Sequence, residues 1–304
     1  MSFTRTTSGL RNYAKFYRVD ITVFVEGRTD DTQGNVKQVQ FTAQSQTSDE
    51  LFHNAVLNTF SPTQKFKVKS VGAKSNVDAY AKKIRSGHAP NCLLIYDSDY
   101  ESVISTWIAP AWTMRTKGYS WENDLWNLSL CEDLVNLFAG GRDWDRKGFR
   151  NRYQLAAKRA ERIGRLEVLC RLHGLNLIIP NGKSVGIALD ARCPSIISAK
   201  EVTRLATKLK DELKNFSPDE VQRGKALTAG FDYCSLIRGH LWEAICITLI
   251  VSTLKSIDVQ GALPASMIRN VALGLFKDKV KHYLSAAVAL HYTHQQHKAG
   301  LEVE

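Results

Sequence analysis

The sequence predicts an α/β fold: a mostly parallel sheet flanked by helices, with a helical C-terminal half. Three observations predict it. Ile21-Thr22-Val23-Phe24-Val25 is an apolar run rich in β-branched residues that stops abruptly at Glu26-Gly27, the pattern of a strand buried on both faces. Asn91-Cys92-Leu93-Leu94-Ile95-Tyr96 repeats the design and runs into Asp97-Ser98-Asp99. From residue 199 onward the apolar residues fall at helical spacing.

Residues 1–16 are polar and aperiodic, which predicts a poorly ordered start or a short strand leading in. The first strand covers about 18–26. Residues 31–48 are rich in Gln, Thr and Ser and read as an inserted hairpin or loop. Ser48-Asp49-Glu50 opens a helix carrying Leu51, Ala55, Val56 and Phe60. Gln64 to Val71 alternates strictly, with Lys65, Lys67 and Lys69 on one face. A central parallel strand does not tolerate that, so this is an edge strand guarded by lysines, which could also border a nucleic-acid groove. Asn76 to Arg85 reads as a crossover helix, with Val77, Tyr80, Ala81 and Ile84 inward. After the second acidic strand end come a short helix near 102–107 and a fourth strand at 111–115.

Ser120 is a good N-cap for a helix carrying Leu125, Leu128, Cys131, Val135 and Phe138 up to Gly140-Gly141, placing Glu122 in its first turn. From Arg142 to Arg171 the chain is basic, with Trp144, Phe149 and Tyr153 interleaved and Ala156, Ala160, Ile163 and Leu166 forming an inward stripe. Leu175 to Ser195 reads as loop with short strands. Helices follow at 199–216, 217–225 with Ser217-Pro218 as cap and first position, 239–254, 264–276 and 279–294. The division drawn from these elements is 1–125 for a sheet-bearing domain and 126–304 for a mainly helical one.

The chain has 304 residues, is 44% hydrophobic and carries a formal charge of +11. The size supports one large core or two modest ones. No apolar stretch follows the basic residues near the N-terminus, and none is long enough to span a bilayer, so a cytoplasmic location is expected. The six cysteines form no C-x-x-C pair and sit mostly in apolar runs, which predicts reduced core thiols. His291, His294 and His297 recur every third residue with no cysteine or acid beside them, a poor metal pattern.

A basic chain whose acids gather at strand ends suits a polyanion attracted by the surface and processed at a carboxylate-bound metal. In open α/β sheets, ligands bind just past the carboxyl ends of strands, where Glu26 and Asp97 fall. Oxygen donors from Glu26, Asp97 and Asp99, with Asp30 and Glu122 near a second position, suit Mg2+ or Mn2+. One ion would orient the attacking water and the other stabilise a leaving phosphodiester oxygen. Glu26 could double as proton acceptor. The arginines of 142–171, Arg146, Arg150 and Arg162 in particular, would hold nucleic-acid phosphates, with the aromatics stacking on unpaired bases, or else the segment is a solvated helix face whose long stems cover apolar surface.

Val25-Glu26-Gly27-Arg28-Thr29-Asp30, then Tyr96-Asp97-Ser98-Asp99, then Tyr119-Ser120-Trp121-Glu122-Asn123 resembles the acidic order of TOPRIM nucleases, in the uncharacterised-domain branch related to the OLD family. The resemblance covers about residues 20–125 and implies a TOPRIM-like sheet with Glu26, Asp97, Asp99 and Glu122 catalytic. Within that branch the chain resembles effectors of the PARIS anti-phage system. That implies a toxic nuclease acting on tRNA, held silent by an ABC-type ATPase partner, AriA, and active as a homodimer. The phosphate-stabilising residue is left open among Lys183, Lys225, Arg238 and His240, the last two at a helix start. D-x-D also binds metal in nucleotide-sugar transferases, and a non-catalytic module binding nucleic acid or a partner is the third reading.

Overall fold

In a computed structural model the described residues are 7–27, 46–84, 91–104, 112–175, 187–259, 261 and 263–303. Along the chain they form α1 (Thr7–Tyr17), β1 (Ile21–Val25), α2 (Ser48–Phe60), β2 (Phe66–Ser70), α3 (Lys74–Lys83), β3 (Cys92–Tyr96), α4 (Glu101–Ile104), β4 (Thr113–Arg115) and α5 (Trp121–Leu125). There follow α6 (Leu128–Ala139), α7 (Arg146–Leu172), α8 (Ala199–Glu212), α9 (Pro218–Thr228), α10 (Tyr233–Leu236), α11 (Gly239–Ser256), α12 (Ala265–Asp278), α13 (Val280–Tyr283) and α14 (Ala286–Lys298). This is an α/β chain whose C-terminal half is helical. The expected insertion at 31–48 lies almost entirely outside the described residues. No helix among the described residues is long and apolar enough to cross a membrane.

Two compact units divide the chain. The first comprises residues 1–97, 108–116 and 273–304, the second 98–107 and 117–272, a division that departs from the sequence-based boundary after residue 125. The cut falls between Asp97 and Ser98, and again within α12.

The first unit holds a four-stranded, wholly parallel sheet in the order β2-β1-β3-β4. Phe24 on β1 lies opposite Lys69 on one side and Leu94 on the other. Phe24, Cys92, Leu94 and Tyr96 pack with Val77, Ala81 and Ile84, and Phe24 stacks on Tyr80 at 4.5 Å between centroids. β2 is the edge strand its lysines predict. Lys67 and Lys69 lie over the rings of Tyr17 and Tyr13 at 5.3 and 5.7 Å, cation–π contacts that join the edge to α1. Thr7 to Tyr17 are thus helical, in place of the expected poorly ordered lead or short strand, and residues 1–6 lie outside the described residues. In this helix Tyr13 and Ala14 are buried, and this tertiary anchoring has no counterpart in local periodicity.

The C-terminal helices belong with this sheet because their side chains meet α2. Phe276 stacks on Phe52 at 5.0 Å. Gln296 is fully buried, accepting from Ser61 Oγ at 2.7 Å. His291 Nε2 meets the Arg115 carbonyl at 2.9 Å. The expected single helix over 279–294 is broken at Leu284, where Ser285 caps α14 through the Val288 amide.

The second unit is built on α11, apolar on nearly every side as expected, with Leu241, Trp242, Ile245, Cys246, Leu249 and Ile250 buried. The helix expected from Ser120 to Phe138 is two helices. Trp126 leaves helical geometry and Asn127 caps α6 through the Leu130 amide. The break exposes the Trp126 carbonyl to Trp242 Nε1 at 2.8 Å and the Tyr153 hydroxyl at 3.1 Å, two hydrogen bonds that an unbroken helix would forgo. All six cysteines are free.

α7 packs closely on α10 because position 164 is glycine. A Cβ there would stand 2.5 Å from the Leu236 carbonyl carbon and 2.6 Å from its Cβ. Backbone cannot step aside as a flexible side chain can. Gly164→Ala is therefore expected to destabilise the protein by about 1–3 kcal/mol despite its better helix propensity. A denaturant midpoint at or above wild type would show that the helices separate freely at this point.

Candidate functional site

In the first unit the strand ends assemble acids at the place where strand order reverses. β1 connects to β2 on one side, while β3, its other neighbour, leads to β4. Glu26 directly follows β1 and Asp97 directly follows β3. The Glu26 amide donates to Ile95 O at 3.1 Å, carrying the ladder one residue past β1. Gly27 then turns with φ +153 and donates to Gly72 O at 3.0 Å. Only glycine adopts that φ readily, and a Cβ there would strike the carboxylate of Asp49, 2.8 Å from Oδ2. Asp49, read from sequence only as a helix-opening residue, therefore lies against the same turn. Thr47 is the actual N-cap of α2, in a capping box with Glu50. Glu50 Oε1 also accepts from the Ser70 amide at 2.9 Å, tying the helix start to the end of β2.

Among the described residues, no group of three or more His, Cys, Asp or Glu side chains is placed to hold a metal ion. Mg2+ is usually held by one or two carboxylates, with waters and substrate phosphates completing an octahedron. Glu26 and Asp97, hard oxygen donors on adjacent strand ends, fit that requirement. Asp30 and Lys183 lie outside the described residues.

Asp99 and Glu122 belong to the second unit. The D-x-D does not continue the strand: Asp99 has φ +46, and its amide donates to Tyr119 O at 2.8 Å. β3 ends at Tyr96, so the period-two alternation of a strand does not extend to Asp99. Burial, and then the Asp99 carboxylate, push the Tyr119 hydroxyl well above the usual tyrosine range.

Glu122 is buried and both its oxygens are engaged. Oε1 meets His240 Nδ1 at 2.6 Å and Oε2 accepts from Ser120 Oγ at 2.5 Å. Burial pushes this carboxyl up, but the hydrogen bonds and charge of His240, with Ser120, outweigh it and hold the group below the usual carboxylate range. The turn bearing His240 is clamped from the same side, since Asn123 Nδ2 donates to Ile237 O at 3.0 Å. Gly239 lets the segments meet: a Cβ there would stand 2.6 Å from Glu122 Oε2 and closer still to Ser120 Oγ. The result is an imidazole oriented by a buried carboxylate at the start of α11, with the His240 side chain 67% exposed. Beside it Arg238 is committed to Glu167, whose side chain is fully buried. The other phosphate candidate, Lys225, is exposed on α9.

The basic segment also differs from its sequence reading. Phe149 and Tyr153, expected to stack on bases, are 2% and 5% exposed. Trp144 is half-buried, with Nε1 bonded to Asn136 and its ring under Arg146. A hydrophobic side chain in a basic run packs inward when the helix turns it toward the core, so Phe149 and Tyr153 are not platforms for bases. Arg150 forms a two-point pair with Glu132, and Arg146 also donates to Asn136 at 2.9 Å. Arg162 is exposed. No protein-family model matches the chain, and no curated protein matches it significantly in sequence.

Because the folded-state pKa of Glu122 is depressed, its contribution to stability is present above the ordinary glutamate value of about 4.3 and is lost as pH falls through the folded value. Wild type should therefore be more stable than Glu122→Gln near neutrality, with the gap closing as a melting series is taken from about pH 6 to about pH 3. His240→Ala should cost about 1–3 kcal/mol by leaving a buried carboxylate oxygen without its donor. A gap independent of pH would mean that folding does not shift the Glu122 pKa, and a gap that widened as pH fell would mean that the pKa is raised.

Proposed function

We propose that the chain is a metal-dependent TOPRIM endonuclease that cleaves nucleic acid, tRNA by preference. The observation that carries the reading is the placement of Glu26 and Asp97 on adjacent parallel strands, β1 and β3, at the reversal of strand order. Ligands of open α/β sheets bind at that crevice. Two carboxylates there would hold Mg2+ or Mn2+, which when bound supplies Lewis-acid stabilisation of phosphoryl oxygens and a more acidic water. Glu26 is held by the continued ladder and by the turn at Gly27, so its carboxylate is presented from fixed backbone, as a ligand or proton acceptor requires. The formal charge of +11 supports a polyanionic substrate.

The sequence resemblance to AriB, the effector of the PARIS system, supports the finer reading. In that reading the nuclease is a toxic effector kept inactive by the ATPase AriA until infection is sensed, and acts as a homodimer. The nucleotide-sugar reading gives Glu26-Gly27 no role.

Purified protein incubated with tRNA, plasmid DNA and a nucleotide sugar, in manganese or in EDTA, separates the three classes. Metal-dependent cleavage of tRNA is expected, with Glu26→Ala and Asp97→Asn each lowering the rate about 100-fold or more, since residues that only orient ligands already contribute about 10–100-fold. Without metal these variants should melt at or slightly above the wild-type temperature, because neighbouring acids repel. EDTA-resistant cleavage, or wild-type rates in both variants, would overturn the proposal.

A further inference from the structure

The cations of α7 divide into two groups. The helix carries nine, Arg146, Lys147, Arg150, Arg152, Lys158, Arg159, Arg162, Arg165 and Arg171, against two acids, Glu161 and Glu167. Six have partners within the protein. Arg146 and Arg150 bond to Asn136 and Glu132 of α6. Arg152 donates to Ser252 at 2.9 Å, and Arg159 to Ser195 and the Ile197 carbonyl, pinning the 191–197 loop. Arg165 pairs with Glu161 and Arg171 with Glu167, so both acids of the helix are also engaged. Lys147, Lys158 and Arg162 are exposed and take no partner among the described residues. At 3.6 residues per turn these three fall within about 60° of one another, a stripe about 22 Å long. α8, packed against α7, adds Lys200 and Lys208, exposed and likewise without partners among the described residues.

We infer that Lys147, Lys158 and Arg162 form a nucleic-acid interface that reads backbone phosphates alone. This deepens the proposed function by stating how its substrate is held, and rests on that reading only for the identity of the polyanion. Two of the segment's three aromatic rings are out of reach of a base, since Phe149 and Tyr153 are core residues, and Trp144 is half-buried with its N–H bonded to Asn136 and its ring under Arg146. The two lysines are point charges on flexible stems that hold phosphate without base identity, and the planar guanidinium of Arg162 adds a two-point phosphate contact. The surface therefore does not select for unpaired bases, contrary to the expectation from sequence. Selection of tRNA has to come from elsewhere in the protein.

The test uses the whole 304-residue chain with Glu26→Ala, so that binding is measured without cleavage. Three ligands of equal phosphate number are compared across a salt series: unstructured RNA, hairpin RNA and duplex DNA. Lys147→Gln, Lys158→Gln and Arg162→Gln together should reduce the slope of log affinity against log salt by about 2, from about 0.7 per lost contact on single strands and somewhat more on duplexes. Trp144→Ala should leave it unaltered. Unchanged slopes in the triple variant would overturn the inference, as would a loss of binding to unstructured RNA alone on Trp144→Ala. Cleavage by the wild-type protein is scored separately. Its absence with the salt effect intact removes the nuclease reading and leaves the surface, whereas its presence with unaltered slopes removes the surface only.

Discussion

β1 has to satisfy its backbone on both edges while Val23, Phe24 and Val25 are wholly excluded from water. An unpaired amide at that depth would cost more than the burial of a small side chain returns. That demand places β1 in the interior of the sheet, between β2 and β3, and makes the reversal of strand order fall at its border with β3. Glu26 is the first residue beyond the point where apolar burial ends. Gly27 supplies the φ that lets the chain leave the sheet, and the missing Cβ leaves room for the Asp49 carboxylate. The acidic strand end is thus a consequence of how a buried parallel strand must stop.

In the second unit the governing constraint is the cost of burying charge. Glu122, Glu167 and Glu243 are all nearly inaccessible, and each meets a basic side chain: His240, Arg238 and Arg269. Arg269 grips Glu243 with two hydrogen bonds of 2.6 and 2.7 Å. A buried carboxylate without such a partner would be neutralised or would unfold its surroundings. Much of the arginine content therefore serves the interior and the loops that cover it. The positive charge offered to solvent is smaller, and more localised, than the composition implies.

The two uses of charge account for where the sequence reading held and where it did not. Alternating lysines on Lys65-Phe66-Lys67-Val68-Lys69 marked an edge because only an edge leaves room for solvated cations, and β2 is that edge. Apolar runs ending in an acid marked β1 and β3 because an interior parallel strand is buried on both faces until the chain leaves the sheet. The break at Trp126, by contrast, depends on Trp242 and Tyr153 reaching one carbonyl from distant parts of the chain. Helical periodicity runs straight through that point.

The sequence by itself determined the strands, their parallel arrangement, the edge and the two acids that close β1 and β3, because burial of one short segment leaves a local imprint of β-branched residues and an abrupt polar end. Only the tertiary structure decided that Glu122 pairs with His240, that Phe149 and Tyr153 are core residues, and that six of the nine cations of α7 are already engaged. Those outcomes depend on which side chains meet across more than a hundred residues or across neighbouring helices. A basic residue has the same letter whether it faces a buried carboxylate or solvent, so its role is set by its neighbours in space.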